Sequence, residues 1–462
     1  MHSGHRHSNA LLRETLRPGS AVLGIVILLL FLIFLLLFLF VTAQSAEGQN
    51  YKVIYSFTGA EDGSFPNGVT LDSAGNLYGT TGRGGYRGGD CSSDGCGTAF
   101  RLSYTNGAWV FTPLHAFSGP DGANPSAPVT LGPDGTLYGT TYLGGGADCP
   151  LGPQGNCGVV FRLRPSGNAI CNRAACPWVE EVLHRFTGAP ADGRSTRAPV
   201  VFDSAGNLYG TAETGGAGPC NPTGYGSVGC GVVYSMSRGQ GGWTESVLYS
   251  FQGGGTHDGE EPLASVTLDP YGNLYGTTNL GGNGFPGCGT VFALTRSGSA
   301  WTETVLHVID CATEGSGFFA GLTLDGQGNL LGAASHGGPR GGGTVFRVLP
   351  GYPDWIFETI YAFAGEIGSS GPAQTLAMDP AGNLYGTSLN GGIACDDYGR
   401  GCGFVFRLTY SPAGWILTHL YDFTGGDDGK SPRGVVLDRY GNLWGAAQGG
   451  LYGQGLIFEI TP

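Results

Sequence analysis

The run Gly-Asn-Leu-Tyr-Gly begins at Gly75, Gly206, Gly272 and Gly382, and near copies begin at Gly135 (GTLYG), Gly328 (GNLLG) and Gly441 (GNLWG). By subtraction of their positions, these seven runs are spaced 60, 71, 66, 56, 54 and 59 residues apart. A catalytic signature has no reason to recur seven times, whereas a structural unit does. Each run sits inside a longer unit. Before it comes a β-rich stretch such as GVTLD (68–72) or SVTLD (265–269). After it come a Gly-Gly loop of variable length, then GTVFALT (289–295) or GFVFRLT (403–409), then WTETVLHVI (301–309) or WILTHLYDF (415–423). All four stretches alternate apolar with polar residues or are rich in β-branched and aromatic ones, and no segment beyond residue 50 sustains helical periodicity. With 88 Gly in 462 residues and only 12% Lys, Arg, Asp and Glu, turns are abundant and charged helix faces are few. The expected fold is all-β, a seven-bladed β-propeller of four-stranded blades over residues 51–462.

The repeated run then reads as the hairpin between the first two strands of a blade. In DSAGN the Asp caps a turn and the Gly takes positive φ. Asp72, Asp203, Asp269, Asp325, Asp379 and Asp438 occupy this position, and the second unit has GPDGT instead. One regular carboxylate per loop is too few for calcium, which takes about six or more oxygens. The chain ends on GLIFEITP (455–462), a third strand with nothing after it, while YKVIYSF (51–57) matches a fourth strand but precedes any first. The N-terminal run is therefore expected to complete the seventh blade, which pairs both open edges.

These recurrent texts, DxxGNLYGTT, a Gly-Gly loop, GCGTVF, and SFTG with DG ahead of a Pro, resemble the GloVer (Gloeo/Verruco) tandem repeat family of exported bacterial proteins. The resemblance covers about residues 51–462, and the fifth unit departs furthest, since GNLLGAASHGG lacks the Tyr and the Cys. It implies repeat architecture and an exported location, and transfers no activity.

The N-terminus divides into a short basic segment (1–20), an uncharged apolar segment of 23 residues (21–43) and a linker (44–50). At 1.5 Å per residue the apolar segment spans a hydrocarbon core of about 30 Å. Arg6, Arg13 and Arg17 keep its leading side cytoplasmic. It exceeds a secretory h-region of about 7–15 residues, which favours a retained transmembrane anchor in the cell membrane, while Val-Thr-Ala at 41–43 suits signal cleavage and secretion. Both readings export the propeller.

Twelve cysteines agree with export to an oxidising compartment. Ten form local pairs: Cys91 with Cys96, Cys149 with Cys157, Cys171 with Cys176, Cys220 with Cys230, and Cys395 with Cys402. Cys288 and Cys311 remain. The former enters the third strand of blade four and the latter leaves its fourth strand. Neighbouring strand ends about 4.8 Å apart are within disulfide reach, so these two are expected to bond. Zinc knuckles are absent from the spacing, and no metal or cofactor is expected.

A net charge of -13 without a basic stripe excludes nucleic acid as a partner. Blade geometry puts the elaborated disulfide loops and the interblade loops on one rim, and a binding site is expected there. Asp62, Asp121, Asp192, Asp258 and Asp428 on that rim are the candidate ligand residues, although each also sits in a repeated Asp-Gly turn. A ring of Tyr55, His115, His184, Tyr249, His307, Tyr361 and Tyr421 suits packed aromatics with polar tips. His336 stands alone in a loop that breaks the pattern. No nucleophile elbow, phosphate loop or metal triad is apparent, so no catalytic residue is assigned. The expected function is an extracytoplasmic, monomeric binding or scaffold propeller for a glycan or protein. The alternative is a polysaccharide hydrolase or lyase using the channel, which should place unique carboxylates, His or Arg at one end of it.

Overall fold

The computed structural model describes residues 49–88, 91–146, 157–166, 178–220, 228–254, 257–283, 287–298, 300–351, 354–364, 371–372, 374–395 and 400–461. The apolar segment 21–43 and the pairings Cys149–Cys157 and Cys171–Cys176 lie outside the described residues. Among the described residues no helix is long and apolar enough to cross a membrane.

The recurrent hairpin owes its form to a single carboxylate. Asp72 Oδ1 accepts from the backbone N–H of Ala74 and Asn76, both at 2.9 Å, and Oδ2 accepts from Asn76 Nδ2 at 2.7 Å and the Tyr78 hydroxyl at 3.1 Å. Asp203, Asp269 and Asp379 repeat this set with Tyr209, Tyr275 and Tyr385. Asp438 takes the indole Nε1 of Trp444 instead, at 3.2 Å. In the second unit Asp134 serves the same purpose, accepting from Thr136 and Tyr138. The Asp, Asn and Tyr of the motif are thus one capping network, and its oxygens are filled by internal donors. The two glycines answer to different demands. Gly75 has φ +83° in open space, so the turn conformation requires it. Gly79 is extended, but a Cβ there would lie 2.6 Å from the Phe100 ring, which crosses it from the third strand. The same contact recurs at Gly139 with Phe161 and at Gly276 with Phe292.

Seven four-stranded antiparallel sheets result. In the first blade they are Ser64–Leu71, Leu77–Arg83, Thr98–Thr105 and Ala108–Ala116, from the inside outward. In the seventh, Lys430–Leu437, Leu443–Gln448 and Leu456–Thr461 come from the C-terminus, and the outermost strand is Asn50–Ser56, with Tyr51 opposite Ile460. The innermost strands of blades two to six keep only two ladder residues each, such as Thr130–Leu131. The Thr of this stretch ties blade to blade: Thr130 Oγ1 donates to the Val200 carbonyl at 2.6 Å, and Thr323 Oγ1 to Leu376 at 2.6 Å.

Hydrophobic cores lie between blades. Phe57, Phe100, Trp444 and Ile457 join the seventh blade to the first, and Phe251, Leu274 and Phe292 with Tyr209 join the third to the fourth. Every fourth strand also carries a β-bulge: the ladder skips Ile54, Leu114, Leu183, Leu248, Leu306, Ile360 and Leu420. The next residue in each case is the ring Tyr or His, which the bulge re-aims.

Candidate functional site

The five candidate aspartates meet the Tyr/His ring. Asp62 Oδ2 accepts from the Tyr55 hydroxyl at 3.1 Å, Asp258 Oδ2 from Tyr249 at 2.9 Å and Asp428 Oδ2 from Tyr421 at 3.0 Å. Nε2 of His115 and of His184 lies 2.9 and 3.0 Å from Oδ2 of Asp121 and Asp192. Each carboxylate also caps its own turn, as Asp62 does toward Thr58 N (2.8 Å) and Asp428 toward Thr424 N (2.8 Å). These residues tie the fourth strand of one blade to the turn entering the next. In the fifth such turn Glu314 takes the place of Asp, 2.8 Å from His307 Nε2, and it escaped sequence reasoning because no Asp-Gly marks it. His336 shares a 2.7 Å hydrogen bond with Ser335, its chain neighbour.

Across each groove the next blade presents its own fourth strand. Tyr55 stacks on Phe111, His307 on Phe357 and Tyr421 on Tyr51, with ring centroids 4.6, 4.5 and 3.8 Å apart. Three consecutive grooves hold a carboxyl instead: Glu180, Glu245 and Glu303. Burial pushes all three up to about 7, with Asp121, Asp192 and Asp258 respectively adding in the same direction, and His115 and His184 opposing it in the first two. One oxygen of each, Oε1, is buried without a hydrogen-bond partner.

Glu303 faces only Asp258 among the charged groups that shift it. Between about pH 4.5 and 7 the folded chain keeps a proton that the unfolded chain has released, so stability falls as pH rises through that window. Glu303→Gln removes the loss. The variant should match the parent near pH 4 and exceed it near pH 8 by about 1 kcal/mol, after discounting for solvent screening of a half-buried group. Urea unfolding at the two pH values measures this, and an equal offset at both would show that Glu303 does not hold the proton.

The central channel is built differently. Two adjoining cavities of about 280 and 520 Å³ share seven lining residues, one from each blade: Asn67, Ser126, Arg197, Leu263, Phe319, Gln374 and Arg433. In a chain that repeats itself seven times, this ring does not repeat. The GVTLD stretches themselves stay close to equivalent from blade to blade, and the variation falls on the residues just before them. The larger cavity also reaches Gly82, Arg83, Asn124 and Gln448, at the strand ends on the disulfide-bearing rim.

Backbone geometry aims the ring. Phe65, Asn124, Ser195, Glu261 and Ser431 have φ of 58, 54, 62, 56 and 47°, and Gly317 has 75°. In each of these six blades the channel residue follows two positions later. Left-handed Phe and Glu cost about 1–3 kcal/mol each unless their surroundings hold them. Here the N–H of Asn124, Ser195, Glu261 and Ser431 donates to the carbonyl of Cys96, Cys157, Cys230 and Cys402, at 2.7–2.9 Å. The second Cys of a rim loop therefore anchors the residue that sets a channel side chain.

Of the three arginines at the mouth, two are already paired with acids. Arg197 Nε donates to Glu213 at 2.6 Å and its guanidinium lies 4.1 Å from the Tyr142 ring centre. Arg83 pairs with Asp94 at 3.1 Å. Arg433 has no carboxylate beside it among the described residues. Burial alone lowers its pKa, and the Gln448 amide, oriented oxygen-inward, accepts from Nη2 at 2.8 Å.

Four disulfides join pairs of described residues and fit an oxidising, extracytoplasmic compartment. Cys91–Cys96, Cys220–Cys230 and Cys395–Cys402 close single loops, and Cys288–Cys311 ties the third-strand entry of blade four to the loop after its fourth strand, with Cα atoms 5.5 Å apart.

Among solved structures, a Dyadobacter fermentans protein of unknown function is similar at 12% identity, covering 90% of this chain and 98% of its own, with a TM-score of 0.42. The extracellular domain of a putative one-component system from B. thetaiotaomicron is similar at 12% identity, covering 89% of this chain and 40% of its own, with a TM-score of 0.48. A putative oxidoreductase (glucose dehydrogenase) from Thermus is similar at 14% identity, covering 90% and 100%, with a TM-score of 0.38. At such scores they carry no argument about activity. No curated protein matches the chain. The Gloeobacter/Verrucomicrobia repeat matches residues 40–218 and 152–400, most of the chain, with the sevenfold unit in place throughout. The chain belongs to the Gloeobacter/Verrucomicrobia repeat family.

Proposed function

We propose that this protein is a binding module displayed outside the cytoplasm, held in the membrane by segment 21–43, that takes an acidic saccharide into the mouth of its central channel. The observation that carries this reading is the non-repeating ring, which sets Arg197 and Arg433 at one end of the channel, as the enzyme alternative also requires, but brings no carboxylate or His among the described lining residues to act as acid or base. Scaffold positions repeat because seven blades need the same cap, bulge and interblade tie. A ring that holds six residue types across seven blades answers to something asymmetric. Arg433 supplies charge, Arg197 beside Glu213 supplies donors, Asn67 and Gln374 supply amides, and Phe319, 43% exposed, offers a flat apolar face. Guanidinium groups match carboxylates in bidentate geometry, and a half-buried Arg433 without an acid partner gains most from one. A mouth of about 520 Å³ falls in the range of small-ligand sites.

A glycan-array screen of the purified chain tests it. Uronate- or sulfate-bearing glycans should bind, neutral ones should bind at least tenfold more weakly, and Arg433→Gln should abolish the difference. Equal binding of neutral glycans, or an unaffected Arg433→Gln, would overturn the proposal.

A further inference from the structure

We infer that two of the interblade grooves are divalent-metal sites of the Zn²⁺ class, one formed by His115, Asp121 and Glu180 and the other by His184, Asp192 and Glu245. They lie at the outer edges of the blades and are separate from the channel. In each trio the imidazole nitrogen and the two carboxylate oxygens all lie within 4.8 Å of one another. Zinc bonds of about 2.0–2.2 Å place tetrahedral ligands roughly 3.3 Å apart, so only a small closure separates the trios from coordination. Nε2 and Oδ2 already stand at 2.9 Å in one groove and 3.0 Å in the other.

The carboxyl of each trio has an oxygen that lacks a protein partner, as Glu303 has in the groove without an imidazole. Oε1 of Glu180 and of Glu245 is buried and unpartnered. An unpaired buried acceptor costs free energy, and a cation is one of the few partners that could satisfy it beside another carboxylate. The aspartates are oriented without the metal: Asp121 Oδ1 accepts from Ser118 N at 2.8 Å, and Asp192 Oδ1 from Gly193 N at 2.7 Å. Such support from behind is what holds a ligating carboxylate in place. One neutral imidazole and two carboxylates balance a divalent charge, and the imidazole favours zinc or cobalt over calcium or magnesium. The side chains of His115 and Asp121 are about one-fifth exposed, which leaves an open coordination position for water.

The third groove is a built-in control. It repeats the Asp and the Glu303, but Tyr249 replaces the imidazole and donates its hydroxyl to Asp258 at 2.9 Å. A neutral phenol in place of the imidazole removes the nitrogen ligand.

The experiment is Zn²⁺ titration of the EDTA-treated full chain by calorimetry, with Co²⁺ absorption as the spectroscopic readout. His2, His5 and His7 at the N-terminus add binding common to every variant, so differences in stoichiometry are what count. His115→Ala and His184→Ala should each lose one equivalent and the double variant two. Should either fail to fold by circular dichroism, the near-isosteric Glu180→Gln and Glu245→Gln replace it, with the same loss expected. Tyr249→His should gain one equivalent. Unchanged stoichiometry in a folded His115→Ala or Glu180→Gln chain, or a Tyr249→His chain that gains nothing, would overturn the assignment.

Discussion

Deleting residues 49–57 should open the ring and lower stability by several kcal/mol. Asn50–Ser56 supplies the outermost strand of the seventh blade, and its loss leaves Leu456–Thr461 with an unpaired edge, a template for aggregation. Side chains leave with the strand. Phe57 is fully buried between the last and first blades, and removing a buried Phe alone costs about 3–5 kcal/mol. Tyr51 stacks on Tyr421 at 3.8 Å and donates its hydroxyl to the Asp428 carbonyl at 2.6 Å, so the preceding turn loosens too. Against a total stability of about 5–15 kcal/mol, the deletion should broaden the melt or abolish cooperative unfolding. A truncated chain that melts at the temperature of the intact one would show that the ring does not close through this strand.

The disulfide between Cys288 and Cys311 should contribute the next largest single effect. It spans 23 residues of sequence, against 5 for Cys91–Cys96. On the chain-entropy account, loops of those lengths correspond to about 3 and about 2 kcal/mol. The longer bridge fixes the whole of Ala300–Val308 between its ends, whereas the shorter one closes only its own loop. Replacing Cys288 and Cys311 by Ser together should lower the unfolding midpoint more than replacing Cys91 and Cys96. The opposite order in denaturant titrations would mean that the local loop, through the Cys96 carbonyl and Asn124, matters more than the chain constraint.

Much of this fold was legible because its signals are local. The capping Asp72, the positive-φ Gly75 and the alternating strands are each specified within a few residues. Closure could be inferred from an orphan fourth strand at one end and a missing one at the other. The channel ring was not legible, and the reason is geometric. It precedes the Val-Thr-Leu-Asp stretch by three residues at Arg197, Leu263 and Phe319 but by two at Asn67 and Arg433, so no single column of aligned units contains it. The anchoring left-handed residue two positions earlier is Phe65 in one blade and Glu261 in another, and neither type advertises that conformation.

The carboxyls of the outer grooves left a clue that sequence order disguised. Trp178, Trp243 and Trp301 are each followed two residues later by a Glu, and four residues after that comes the ring His or Tyr. Along the strand Glu180 belongs with His184. In space it meets His115 of the preceding blade, 65 residues away. The rim aspartates drew attention for the opposite reason, since their repetition marks a tie between blades.

The central claim is that the non-repeating ring of the channel takes the saccharide, while the repeated rim aspartates tie blade to blade. It is tested most directly by calorimetric titration of the acidic oligosaccharide selected on the array into three chains: the parent, Arg433→Gln and Asp428→Asn. The parent should bind, Arg433→Gln should lose at least tenfold in affinity with its melting temperature little changed, and Asp428→Asn should melt earlier yet bind as the parent does. Loss of binding in Asp428→Asn with full binding in Arg433→Gln would contradict the account and return the site to the rim.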